Sequence, residues 1–214
     1  TELLSTENQK IINKRSLELI NLNNKRKKIE DITLKDIDFK KLEKENKNVI
    51  IYYNPNINEG LIGIIASRLK DYFNKPSIVI TNSKNILKGS ARSIYNFNIG
   101  HTIKLSLDKN LIINGGGHNM AAGFSLKKEN LSNFKLFVNN DYLKNNISLN
   151  NLYMYDFEAS SSALNKEFYK DLQQIEPFGT GNPLPTFLFK DFKVIKSSIL
   201  NKKHVSCILI SKKG

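Results

Sequence analysis

The run NVIIYYNPNINEGLIGIIASRLKDYFNKPSIVIT, Asn48 to Thr81, decides the fold. Asn48-Val-Ile-Ile-Tyr-Tyr53 is a short β-branched and aromatic stretch of buried type, closed by the turn signal Asn54-Pro55-Asn56. Gly60 to Phe73 repeats its apolar residues at helical spacing and sets Leu61, Ile62, Ile65, Leu69 and Phe73 toward a core. Asn74-Lys75-Pro76 ends that helix, because the residue before a proline is driven out of the helical region. Ser77-Ile-Val-Ile-Thr81 is a second buried strand. Strand, helix and strand in that order predict an α/β domain.

The alternation continues downstream. Leu87 to Ser93 reads as a third strand and Ile99 to Leu107 as a short helix. Leu111-Ile-Ile-Asn114 runs into Gly115-Gly116-Gly117-His118, and Ala121 to Leu126 is a further strand. Glu129 to Lys144 closes the unit as a helix with Leu131, Phe134, Phe137 and Val138 inward. The expected domain covers 48–150, with a largely parallel or mixed sheet.

Upstream, Thr6 to Glu45 is polar and free of Gly and Pro, with an imperfect helical stripe of Ile11, Ile12, Leu17, Leu19, Ile20, Leu22 and Ile29. Such a helix joins two bodies, so 1–47 is expected to be a connecting helix. Its cluster Lys25-Arg26-Lys27-Lys28 is either a solvated face or a DNA contact. Beyond 150, Tyr153 to Phe157 is strand-like and Ser162 to Ile175 helical. The run Pro177-Phe-Gly-Thr-Gly-Asn-Pro-Leu-Pro185 holds three of the five prolines and must be an ordered, turn-rich connection, which completes a segment 151–185. Thr186 to Ser197 and His204 to Ser211 read as two strands of a truncated β module over 186–214.

Composition removes several function classes. A chain of 214 residues is one large domain, or one domain with a fragment. The single cysteine, Cys207, excludes a disulfide scaffold and a cysteine zinc site. The three histidines, His101, His118 and His204, are too dispersed to show a metal cluster, so no metal ligand is assigned. No apolar run is long enough for a membrane span, and Thr1 to Lys10 has no signal-peptide pattern. The chain reads as a cytoplasmic, monomeric piece of a longer protein. Its net charge of +13 fits nucleic acid, but 29 Lys, 29 Asn and 26 Ile all have A/T-rich codons, so genome composition competes as the cause. Arginine is scarce, at four, and Arg92 stands in the least expected place.

Two segments carry candidate chemistry. Gly115, Gly116 and Gly117 can turn backbone N–H groups toward an anion, with His118 as an imidazole donor beside them and the small residues Ala121, Ala122 and Gly123 behind. The alternative is a tight strand-to-strand turn with a satisfied histidine. In Lys88-Gly-Ser-Ala-Arg-Ser93, Arg92 sits on a strand that otherwise reads as core, and its guanidinium needs an anion. That anion is a substrate phosphate or an internal carboxylate, with Ser90 and Ser93 as assisting donors. Gly60 and Gly63 open a helix, serving phosphate binding or tight packing.

In succession, Gly60-Leu-Ile-Gly-Ile-Ile-Ala-Ser-Arg-Leu69, Gly89-Ser-Ala-Arg-Ser93 and Gly115-Gly-Gly-His-Asn-Met-Ala-Ala-Gly123 resemble the DHH-associated domain of the DHH phosphoesterases. Pro177-Phe-Gly-Thr-Gly-Asn-Pro-Leu-Pro-Thr-Phe187 resembles the segment entering the oligonucleotide-binding (OB) fold of the RecJ family of single-strand-specific 5′→3′ DNA exonucleases. Leu22-Asn-Asn-Lys-Arg-Lys-Lys-Ile-Glu30 is similar to the end of that family's connecting helix.

The resemblance implies a role in DNA repair and recombination, with single-stranded DNA as partner and a helicase or single-strand-binding protein as further partners. It implies that Arg92 and His118 face the scissile phosphate and that Gly115 to Gly117 line its site. Mn²⁺ or Mg²⁺ would be held by a metal-binding half carrying the Asp-His-His motif, and none by this chain. The family's Trp-His before the glycine-rich helix is Ile57-Asn58 here, and its glycine before the arginine is Ala91. Two other readings remain open: a non-catalytic single-stranded nucleic-acid-binding module, and an oligoribonuclease or nucleotide phosphatase of the same superfamily.

Overall fold

The computed structural model describes residues 2–45, 48–145, 154–179, 181–201 and 204–211. They fall into two units, Thr1–Ser148 and Leu149–Gly214. In the first, strands β1 (Ile50–Tyr53), β2 (Ser77–Ser83), β3 (Ile86–Arg92), β4 (Asn114–His118) and β5 (Ala121–Leu126) form one mixed sheet in the order β1-β2-β3-β5-β4. Only β1 and β2 run parallel; the other neighbours are antiparallel. Helices α1 (Glu2–Ser5), α2 (Gln9–Lys35) and α3 (Phe39–Glu45) precede the sheet. Within it come α4 (Ile62–Phe73), α5 (Ile99–Asp108) and α6 (Leu131–Lys144).

Burial explains why the strands read differently. β1 and β2 are apolar on both sides because both faces there are covered. Ile51, Ile78 and Ile80 enter a core with α5 and α6, while Ile50 and Val79 enter a second core with α4. β3 and β5 alternate instead. Leu87, Ala91, Ala122, Phe124 and Leu126 join the first core, and their neighbours in sequence face the other way. Helix α4 buries Ile62, Ile65, Ala66 and Leu69, one stripe at helical spacing, and ends at Asn74 in the left-handed conformation with φ 49°. The hydroxyl of Thr102 on α5 donates to Asp141 Oδ2 on α6 at 2.7 Å, fastening the two helices of the first core.

The polar N-terminal stretch is not one helix. α2 ends at Lys35, and α3 starts afresh with Asp38 Oδ1 accepting the Lys41 N–H at 3.0 Å. The break lets Ile37 and Leu42 turn into the core against α4, which a continuous helix would not allow. Most of the expected stripe does not pack among the described residues: Ile11 and Ile12 are half-buried, Leu17, Leu19, Ile20, Leu22 and Ile29 are exposed, and Glu30 is the one buried residue of α2. Its carboxylate accepts from Arg68 on α4 at 2.7 Å, with Arg26 at 3.7 Å. That hydrogen bond raises the Arg68 pKa above its usual value.

The second unit holds β6 (Phe157–Glu158), α7 (Lys166–Gln174), β7 (Phe187–Leu188), β8 (Phe192–Leu200) and β9 (His204–Ser211). β6 and β7 make a short parallel pair, and β8 and β9 an antiparallel hairpin. The expected strand from Thr186 to Ser197 is broken at Asp191, whose φ of 63° no regular strand admits. The expected strand start at Tyr153 lies outside the described residues. In the proline-rich connection, Gly179 and Asn182 exchange backbone hydrogen bonds, and Asn182 Nδ2 donates to the carbonyls of Ile175 and Pro177 at 2.7 and 3.1 Å. One amide side chain thus ties the turn to the end of α7.

Candidate nucleic-acid interface

Cross-strand partners share a face, so the registers place nine residues as three rows on one side of the sheet. Lys88–Ser125–Asn114, Ser90–Gly123–Gly116 and Arg92–Ala121–His118 run across β3, β5 and β4. This is the face that α4 covers farther along, over β1 and β2. Over Gly123 of β5 and Gly116 of β4 it is open, while Ser125 farther along β5 is buried. A Cβ built on Gly116 would meet nothing within 4 Å, and one on Gly123 only the Gly89 carbonyl at 4.0 Å. The result is a shallow floor of small residues with Arg92 on one side and His118 on the other.

Arg92 is half-buried at the end of β3 rather than sunk in the core. Its Nη1 donates to the Ala91 carbonyl at 2.9 Å and to Ser90 Oγ at 3.2 Å. Its Nη2 lies against the start of α4, where a Cβ on Gly63 would come within 2.9 Å of it. Gly63 therefore serves tight packing, and what it admits is the guanidinium. The internal-carboxylate alternative fails among the described residues. Arg15 pairs with Glu2 and Glu18, and Arg26 and Arg68 both pair with Glu30, but Arg92 makes no ion pair.

His118 is exposed at the end of β4, with Nδ1 accepting the Met120 N–H at 3.3 Å. That bond places the imidazole proton on Nε2, which then offers a donor to an outside group. The position is fixed from behind. The Ser93 N–H bonds the Met120 carbonyl, the Ile99 N–H bonds the Asn119 carbonyl, and Gly100 of α5 lies against the His118 carbonyl, where a Cβ would come within 2.9 Å. Arg92 and His118 are two strand spacings apart, about 10 Å between backbones. A group above Ala121 is within reach of both.

Three expected roles change. Gly115 to Gly117 form an edge strand, not an anion nest: extended chain sends successive N–H groups in opposite directions, so they cannot converge. Gly115 packs on Ile103, Ile112 and Phe124, and Gly117 on the backbone of β5, which leaves Gly116 alone on the open face. Ser93 is buried, its hydroxyl donating to the Phe97 carbonyl at 2.6 Å, and does not reach the site. Ser90 does, by orienting the guanidinium. Lys88 shares this face as well, and its place two and four residues before Ser90 and Arg92 on a strand is the signal for it.

Residues 46–143 match the DHHA1 domain family, and residues 155–213 match the RecJ OB domain. The single-stranded-DNA-specific exonuclease RecJ of Haemophilus influenzae is 32% identical over 226 residues, covering 100% of this chain and 39% of that protein. The chain pairs a DHHA1 domain with a RecJ OB domain. RecJ of Bacillus subtilis is 29% identical over 211 residues, covering 95% of this chain and 26% of that protein. RecJ of Thermus thermophilus in complex with Mn²⁺ shares the fold, with a TM-score of 0.73 at 24% identity over 98% of this chain and 32% of that one. The chain thus spans well under half of these relatives.

The departures from the RecJ pattern are now legible. Ile57 is buried against α4, and Asn58 Oδ1 accepts the Gly60 N–H at 2.8 Å, so this pair caps and anchors the glycine-rich turn. Ala91 is fully buried on the opposite face, so its methyl group does not touch the floor beside Arg92.

Proposed function

We propose that this chain is the strand-gripping portion of a metal-dependent 5′→3′ single-stranded-DNA exonuclease of DNA repair and recombination. Arg92 carries the reading: it is a half-buried guanidinium with no carboxylate partner among the described residues, facing an exposed histidine across a floor of small residues. The guanidinium fork holds non-bridging oxygens of the phosphate being cleaved, and His118 donates from Nε2 to the same group. Both donors stabilise charge that develops as the phosphodiester bond breaks. Gly116, Gly123 and Ala121 let the sugar–phosphate chain lie close to the sheet. The match of 155–213 to the RecJ OB domain favours this reading over an oligoribonuclease of the same superfamily.

Mn²⁺ or Mg²⁺ does not fit the described residues. Among the described residues no group of three His, Cys, Asp or Glu side chains could hold a metal ion. We assign the metals to a half carrying the Asp-His-His motif. No described helix is long and apolar enough to cross a membrane. The reading takes the protein as cytoplasmic and monomeric, with a helicase or single-strand-binding protein as further partners.

Two measurements test this division of labour. The purified chain alone should not hydrolyse single-stranded DNA with either metal; clear metal-dependent turnover, free of contaminating nuclease, would overturn it. Its binding should neutralise about two to four phosphates, a log–log salt slope between about −1.4 and −2.8. A much steeper slope would mean that the lysines at large bind DNA.

A further inference from the structure

The geometry points to Lys88 as a second anion subsite on this face, taking a phosphate two nucleotides along from the one between Arg92 and His118. We propose that Glu59 occupies its ammonium until the strand arrives. The inference rests on the nucleic-acid reading above.

The two outer rows are built alike. Arg92 and His118 flank the small, half-buried Ala121; Lys88 and the exposed Asn114 flank the small, buried Ser125. In each row β3 supplies the cation and β4 a second donor. Adjacent rows are two residues apart along the strand, about 6.7 Å. That spacing is close to the phosphate repeat of an extended single strand, so the three rows present three successive positions. A phosphate centred on the Arg92 row sets its second neighbour over the Lys88 row.

What holds Lys88 in the empty site is a carboxylate. Lys88 Nζ lies 2.7 Å from Glu59 Oε2, with side chains 45% and 43% exposed. A pair this wet contributes little and exchanges readily for another anion. Glu59 stands in the turn that leads into α4, four residues before Gly63, which packs on Arg92. One short segment therefore places both the carboxylate at Lys88 and the wall beside the guanidinium. Hydrogen bonds from Lys88 and then from the Ser83 hydroxyl hold the Glu59 carboxyl below the usual carboxylate range, so it is an anion whenever the site is empty.

The test uses the full-length enzyme, with kcat and KM measured on an oligothymidylate of about ten nucleotides and on a dinucleotide. Lys88→Ala should raise KM about three- to tenfold on the oligonucleotide and make the salt slope shallower by about 0.7. The dinucleotide cannot reach the Lys88 row, so its KM should move by less than about twofold. Glu59→Gln should lower KM on the oligonucleotide, because the competing anion is gone. An oligonucleotide KM within about twofold of the parent, or an equal rise on both substrates, would overturn the subsite. Arg92→Ala separates the two ideas. If its turnover collapses while Lys88→Ala is silent, only the subsite fails; if Arg92→Ala is silent too, the nucleic-acid reading of the face fails with it.

Discussion

If the proposed function holds, Arg92→Ala in the full-length protein should lower kcat on single-stranded DNA by about 10²–10³, the typical effect of removing one charge-stabilising donor, or about 3–4 kcal/mol. The fold loses little. Among the described residues the guanidinium donates to Ser90 Oγ and to the carbonyl of its own neighbour Ala91, and no ion pair depends on it. The melting temperature should therefore shift by less than about 3 °C. Arg92→Lys should recover little, since a point charge cannot offer two parallel N–H donors. His118→Ala should also reduce turnover at nearly constant stability, because among the described residues the exposed ring's one hydrogen bond is that accepted from the Met120 N–H. The measurement is kcat and melting temperature together for each variant. Near-normal turnover with a large fall in melting temperature would make Arg92 a structural residue and end the phosphate-grip reading.

The sheet was legible because burial writes itself into period and composition. Apolar runs at 48–53 and 77–81 mark strands covered on both faces, and the alternation of Leu87, Gly89 and Ala91 marks one covered on a single face. Arg92 and His118 stood out because a fork and an imidazole sit among small residues. The glycine run misled for the opposite reason: glycine permits a nest and an edge strand equally, and only the packing of Ile103, Ile112 and Phe124 decides. Ser93 misled because a hydroxyl in sequence does not show which way it turns, and the Phe97 carbonyl that takes it is four residues on. The break between α2 and α3 was hidden because no glycine or proline marks it; Asp38 caps a new helix so that Ile37 and Leu42 can dock. The Glu59–Lys88 pair spans 29 residues, and no local pattern encodes it.

Neighbouring glycines of the run should respond to substitution in opposite directions. A Cβ on Gly117 would lie 2.3 Å from the Ala121 carbonyl oxygen and 2.5 Å from Ala122 Cα. Both are backbone atoms of the paired strand, so no rotamer change relieves the clash and the β4–β5 pairing must open. Gly117→Ala should cost about 3 kcal/mol, at the upper end for overpacking, and lower the melting temperature by about 6–12 °C. Gly116 faces open space, so Gly116→Val meets no obstacle and gains the strand preference of a β-branched residue. Its melting temperature should hold or rise by a few degrees. The valine would stand in the middle row, beside His118 and next to Gly123, where the sugar–phosphate chain needs room, and KM for single-stranded DNA should rise about tenfold, the equivalent of about 1.4 kcal/mol. Thermal melting and steady-state kinetics on the two variants separate packing from function within one motif. If Gly116→Val binds DNA as well as the parent, the open face is not where the strand runs, whatever Arg92 does.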